Sequence, residues 1–173
     1  MALAKIFLYS LPLFAIVLGV SSVLPNGFVY LSEVDPTIIQ NVMYYGDQNF
    51  IGHRLSGYKA PKLILTKEAA FRLKDIQADI KKDNFSLVIY DGYRPSKALL
   101  DFMKWTNSTE NDCKTKKYYH PLLTRKQTAE YGYITPTSGH SRGSTVDLSI
   151  IELGKTIDPN PKPVKRYLRD GRV

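Results

Sequence analysis

Residues 138–152 read SGHSRGSTVDLSIIE. The second half of this stretch alternates. Val146, Leu148 and Ile150 fall on one side, and Thr145, Asp147 and Ser149 on the other. That is the period of a β-strand, and it predicts a strand over Thr145–Glu152 with an apolar face on the core. The opposite, polar face would carry Asp147 toward a cleft, since a strand in a sheet is a rigid mount for a functional carboxylate. His140, one of three histidines in the chain, precedes Asp147 by seven residues, and Gly143 lets the chain turn between them.

Outward from this stretch, Leu87–Tyr90 (LVIY) predicts a short buried strand that leaves through Asp91-Gly92-Tyr93-Arg94-Pro95. Proline is tolerated in the first turn of a helix, so a helix is expected from Pro95 or Ser96, with Ala98, Leu99, Phe102 and Met103 as its apolar face. Thr66–Lys82 is the clearest helix. Thr66 suits the N-cap, Glu68 suits the first turn, and Ala69, Leu73, Ile76 and Ile80 recur at helical spacing as a core stripe. Phe28–Leu31 has strand character, whereas Val42–Phe50 reads as loop or short strand, and Gly46, Gly52 and Gly57 make the segment irregular. Thr106–Thr137 is polar and tyrosine-rich, with a short helix expected near Thr124–Glu130. From Asp158 onward, Pro159, Pro161 and Pro163 predict an extended tail. Helices mixed with short strands point to an α+β fold, a small mixed or antiparallel sheet with flanking helices.

The chain of 173 residues suits one domain preceded by a leader. Met1–Ser22 has Lys5, then an apolar run from Ile6 to Val20, then small residues, the order of a secretory signal. The run is short for a membrane span, so a cleaved leader is expected, with an uncleaved anchor as the alternative. Both place residues 23–173 outside the cytoplasm, with contact to a membrane only through an uncleaved leader. The formal net charge is +8. The basic residues are dispersed, apart from a mild concentration at Lys162, Lys165, Arg166, Arg169 and Arg172, and form no nucleic-acid motif. We read them as solvated surface and expect no nucleic-acid partner. Cys113 is the only cysteine, placed by its polar neighbours in a loop, so neither an internal disulfide nor a thiolate metal site is expected.

Imidazole and carboxylate are both zinc donors, and a catalytic zinc commonly has three protein ligands and one open position. His140 and Asp147 could supply two. Spacing alone leaves a second reading open, a hydrogen-bonded structural pair. Arg94, just after a buried strand, offers fixed donors for a carboxylate or a developing oxyanion. Its alternative is to pair with Asp91 or Asp101 and pin the turn.

Two motifs taken together resemble those of the D-alanyl-D-alanine dipeptidases, the VanX-type zinc peptidases. SGHSRGSTVD matches their Ser-x-His-x-x-Gly-x-Ala-x-Asp pattern with Thr145 in place of Ala, and YDGYRP matches their Asp-Gly-Tyr-Arg-Pro segment. The resemblance covers Phe28 to Glu152 and includes Asn49-Phe50 in the expected order. It implies that His140 and Asp147 are zinc ligands, that Arg94 stabilises the transition state and that Ser138 belongs to the substrate wall. It implies Zn²⁺ as cofactor and a small D,D-dipeptide as substrate. It also implies a Glu-x-x-His segment nearer the C-terminus, carrying the general base and the third ligand. No histidine follows His140, and none of Glu152, Asp158 and Asp170 precedes one. His53 and His120 do not stand at motif positions, and Glu152 lies on the strand face away from Asp147. The expectation is therefore a domain incomplete at its C-terminus. It would be an inactive remnant, half of a split enzyme completed by a C-terminal chain, or a module that binds a peptidoglycan-type ligand without cutting it.

Overall fold

The computed structural model describes residues 24–109 and 113–158. The segment expected to be a leader, the proline-rich tail and its basic residues, and the side chain of Cys113 lie outside the described residues. In chain order the elements are β1 (Phe28–Tyr30), α1 (Leu31–Val34), β2 (Ile39–Gln40), β3 (Ile64–Thr66), α2 (Lys67–Ile80), β4 (Phe85–Asp91), α3 (Ser96–Thr106), α4 (Cys113–Tyr119), α5 (Arg125–Glu130) and β5 (Asp147–Glu152). β1 and β3 form an antiparallel pair. A second, mixed sheet has the order β2-β4-β5, with β2 parallel and β5 antiparallel to β4. This is the α+β architecture expected from the sequence. Among the described residues no helix is long and apolar enough to cross a membrane.

The core lies around β4. Leu87, Val88 and Ile89 are buried, as are Leu31, Leu55, Leu63 and Leu65 from the amino-terminal half and Ala98 and Phe102 from α3. Thr66 caps α2 by accepting from the Ala69 N–H (3.4 Å). The buried stripe of α2 is Ala70, Leu73 and Gln77, one residue round from the expected Ala69, Leu73, Ile76 and Ile80. Ile76 is exposed, and Ala69 and Ile80 are half-buried at the margin of the core. Gln77 turns inward because β4 supplies its partners. Its amide oxygen accepts from Leu87 N–H (2.8 Å), and its nitrogen donates to the Ser86 hydroxyl (3.0 Å).

Two further expectations need correction. Cys113 opens α4 and does not sit in a loop. Among the described residues β5 is an edge strand, and of its expected apolar face only Val146, just before it, packs against the core: Leu148 and Ile150 are 46% and 51% exposed. Their cross-strand neighbours Ile89 and Leu87 are buried, so the core covers β4 and stops short of β5.

Candidate active site

The register of β4 and β5 builds the site. Ile89 pairs with Leu148, yet Asp91 pairs with Asp147, so two residues of β4 answer one of β5. Such an irregularity bends a strand and re-aims its side chains. Here it sets Asp91 across from Asp147. The DGYRP turn then carries Arg94 back over the pair.

Residues 139–142 form a single 3-10 turn, with Ser138 as its N-cap accepting from the His140 N–H (3.3 Å). This turn is tied to the DGYRP turn on three sides. Arg94 N–H donates to His140 O (3.1 Å), Ser141 Oγ donates to Arg94 O (3.0 Å), and His140 Nδ1 lies 3.0 Å from Gly92 O. The Thr145 hydroxyl lies against Gly139, where an added Cβ would come within 2.7 Å of it.

His140 is buried, and its two nitrogens face different partners. With Nδ1 donating to Gly92 O, the Nε2 lone pair points at Asp147 Oδ1 across 3.5 Å. A lone pair and a carboxylate facing each other need a proton or a cation between them. Two ligands at about 2.1 Å from one tetrahedral zinc stand about 3.4 Å apart, so this separation fits a shared metal. The backbone carbonyl on Nδ1 is the bracing that metal-bound imidazoles commonly have. Asp91, His140 and Asp147 bring their ligating atoms within 4.8 Å of one another and could hold a metal ion. Asp91 is the least suited of the three. Its oxygens lie on the Nδ1 side (3.4 Å) and are already engaged by Tyr58 and Arg94.

Arg94 is fixed by charge and by aromatic rings. Its Nε and Nη2 donate to Asp91 Oδ2 at 2.9 and 2.8 Å, and Nη2 also reaches Asp147 Oδ2 at 3.4 Å. The guanidinium carbon lies 5.2 Å from the ring centres of Tyr44 and of Phe102, within cation–π range. Pairing with Asp91, one alternative for Arg94, is thus realised without withdrawing Arg94 from the pocket. Burial pushes the Asp91 carboxyl up, opposed by Arg94 and by the Tyr58 hydrogen bond. For Arg94, burial acts downward, but the attraction of Asp91 outweighs it and the guanidinium is held firmly charged.

Arg94, Ser138, His140 and Asp147 line one cavity of about 350 Å³, walled by Tyr44, Phe50, Phe102, residues 133–135 and Thr137. Sequence reasoning missed Tyr44, and the lining residues Tyr133, Ile134, Thr135 and Thr137 of the stretch it left unassigned. Tyr44 belongs to the segment read as loop or short strand, where residues 43–45 form a 3-10 turn and buried Asn49 organises the chain that follows. The Asn49 Oδ1 accepts from the N–H groups of Ile51 and Gly52, and its Nδ2 donates to three carbonyls. His53 and His120 do not reach the cavity. His53 Nδ1 contacts the neighbouring Arg54 carbonyl, and His120 packs edge-on against Trp105, 5.1 Å between ring centres. Glu152 pairs with Phe85 at the far end of β5.

This constellation coincides with a family match. The D-ala-D-ala dipeptidase family profile matches residues 25–159. The chain belongs to the D-ala-D-ala dipeptidase family. It is 34% identical over 128 residues to a D-alanyl-D-alanine dipeptidase of Enterococcus faecalis, covering 74% of this chain and 63% of that protein. The corresponding figures are 33% over 127 residues for that of Enterococcus faecium (73% and 62%) and 34% over 126 residues for that of Streptomyces coelicolor (73% and 62%). This dipeptidase-family chain thus matches less than two thirds of the length of these relatives.

Proposed function

We propose that the site serves zinc-dependent hydrolysis of D-alanyl-D-alanine-type dipeptides outside the cytoplasm. The observation that carries this reading is the pair formed by His140 Nε2 and Asp147 Oδ1, 3.5 Å apart, beside a clamped Arg94 in one cavity. His140 and Asp147 would hold the zinc, which when bound would polarise the scissile carbonyl and acidify the attacking water. Arg94 presents guanidinium N–H donors where a substrate carboxylate or a developing oxyanion can accept them. Ser138 lines the wall against which the dipeptide is oriented, and Tyr44 and Phe102 shield the guanidinium from water, which strengthens its pull on negative charge. Placement outside the cytoplasm follows from reading residues 1–22 as a leader.

One observation favours a second form of this reading. Asp147 is the only carboxylate among the described residues lining the cavity, and His140 the only histidine. A third zinc donor and a general base would then be supplied by another segment or chain. General-base assistance is worth about 10²–10⁴-fold in rate. Without it the site binds a dipeptide and turns it over slowly.

The deciding measurement is zinc content and D-alanyl-D-alanine hydrolysis of the chain from residue 23 onward, with His140→Ala as control. Stoichiometric zinc and turnover, both lost in the variant, support the enzyme. Zinc and dipeptide binding without turnover support the site awaiting a second segment. A chain that takes up neither zinc nor dipeptide overturns both.

A further inference from the structure

We propose that Tyr58 is the positioning residue of this site, acting through Asp91 on Arg94. The proposal rests on reading Arg94 as the group that meets the substrate. Asp91 is 1% exposed. A buried ion pair is favourable only if its remaining lone pairs are hydrogen-bonded as well. Oδ2 is occupied by two N–H groups of Arg94, and Oδ1 accepts the Tyr58 hydroxyl at 2.8 Å. Burial and the nearby Asp91 push the phenol of Tyr58 far above its ordinary range, so it stays a neutral donor. With that hydroxyl in place the carboxylate cannot rotate, and Arg94 has one seat. Without it, Oδ1 is left buried and unsatisfied, and the carboxylate is free to turn away from Arg94.

The segment before Tyr58 is built to deliver it. Ser56 N–H donates to Asp101 Oδ2 of α3 at 2.6 Å. Gly57 lies against Pro95 of the DGYRP turn at φ +93°, and a Cβ there would come within 2.6 Å of the Pro95 Cβ. Leu55 N–H donates to Tyr44 O (3.0 Å), and Tyr44 carries one of the rings beside the guanidinium. Residues 55–58 are thus attached at consecutive positions to the Tyr44 segment, α3, the DGYRP turn and β4, which surround Arg94. A tyrosine needed only for packing would require the ring and not the hydroxyl.

The test compares the full chain with Tyr58→Phe, which keeps the ring and removes the oxygen. The readout is solvent exchange of the Arg94 Nε–H, followed by nitrogen-15 NMR and assigned with Arg94→Lys, alongside the melting temperature and the affinity of the zinc-loaded chain for D-alanyl-D-alanine. A hydrogen bond to a charged group is worth about tenfold or more in such equilibria. The expected result is an Arg94 Nε–H that exchanges about tenfold faster and a dipeptide affinity about tenfold weaker, in a variant that still melts cooperatively. An Arg94 signal unchanged in a folded Tyr58→Phe overturns the proposal, whatever happens to stability. If Tyr58→Phe does not fold, Gly57→Ala answers in its place. It keeps the hydroxyl but lifts the segment off Pro95, and again an unmoved Arg94 signal overturns the proposal. An unmutated chain that binds neither zinc nor dipeptide, while its Arg94 signal still responds to Tyr58→Phe, would overturn the function proposed above and leave the positioning role standing.

Discussion

His140 is held by the nitrogen it does not offer to the cavity. Gly92 O takes Nδ1, which leaves Nε2 and Asp147 to compete for a proton or share a metal. Burial pulls the imidazole pKa down, but the contact with Asp147 outweighs it, and His140 titrates above its ordinary 6.5. The contact with His140 holds Asp147 below the usual carboxylate value. In the metal-free chain the imidazolium therefore contributes stability that is complete below about pH 6.5 and is lost as pH rises through the higher folded value. Zinc bound between the two groups, as proposed, would have to displace that proton. Zinc affinity, measured by competition with a chromophoric chelator, is expected to fall about tenfold per pH unit once pH drops below the raised His140 pKa. In the zinc-free chain, Asp147→Asn should lower the His140 pKa followed by NMR, and an unchanged value would remove Asp147 as the cause.

At the scale of elements, the turn that carries His140 is shaped by one glycine. Gly143 closes the 3-10 turn at φ +76°, its carbonyl accepts from Thr66 N–H at the start of α2 (2.8 Å), and a Cβ on it would come within 2.5 Å of the Phe28 ring. A left-handed conformation costs a non-glycine residue about 1–2 kcal/mol, and overpacking adds about 1–3 kcal/mol. Gly143→Ala is therefore expected to lower unfolding free energy by about 2–5 kcal/mol in urea titration and to weaken zinc binding with it. A variant of unchanged midpoint would show that the turn can open without cost.

For the molecule as a whole, the outer face of β5 is the unusual feature. Leu148 and Ile150 are exposed on an edge strand, and Phe85 beside them is 40% exposed. Contiguous apolar surface next to an open strand edge binds hydrophobic probes and promotes association. Leu148→Ser with Ile150→Ser is expected to lower binding of anilinonaphthalene sulfonate several-fold with little change in melting temperature, because neither side chain is in the core. A large loss of stability would mean that this face is covered in solution.

Much was legible in the sequence because it is local. The period of residues 145–152 predicts a strand, the Thr66 cap and the spacing after it predict α2, and the His140, Asp147, Arg94 and Ser138 motifs name the side chains that meet in the cavity. The apolar stripe of α2 was one residue off because Gln77 is polar by type and buried only through partners on β4. The apolar face of β5 was misjudged because alternation reports that a strand has two faces, not whether anything packs on each. Tyr44 and Tyr58 sit in irregular chain with no periodicity to single them out, and their roles exist only where β4, α3 and that segment meet. Local order and ligand chemistry were thus determined by the sequence. The β4 irregularity that sets Asp91 opposite Asp147, and the tyrosine that holds Asp91, were decided by tertiary structure, since both depend on contacts between residues far apart in the chain.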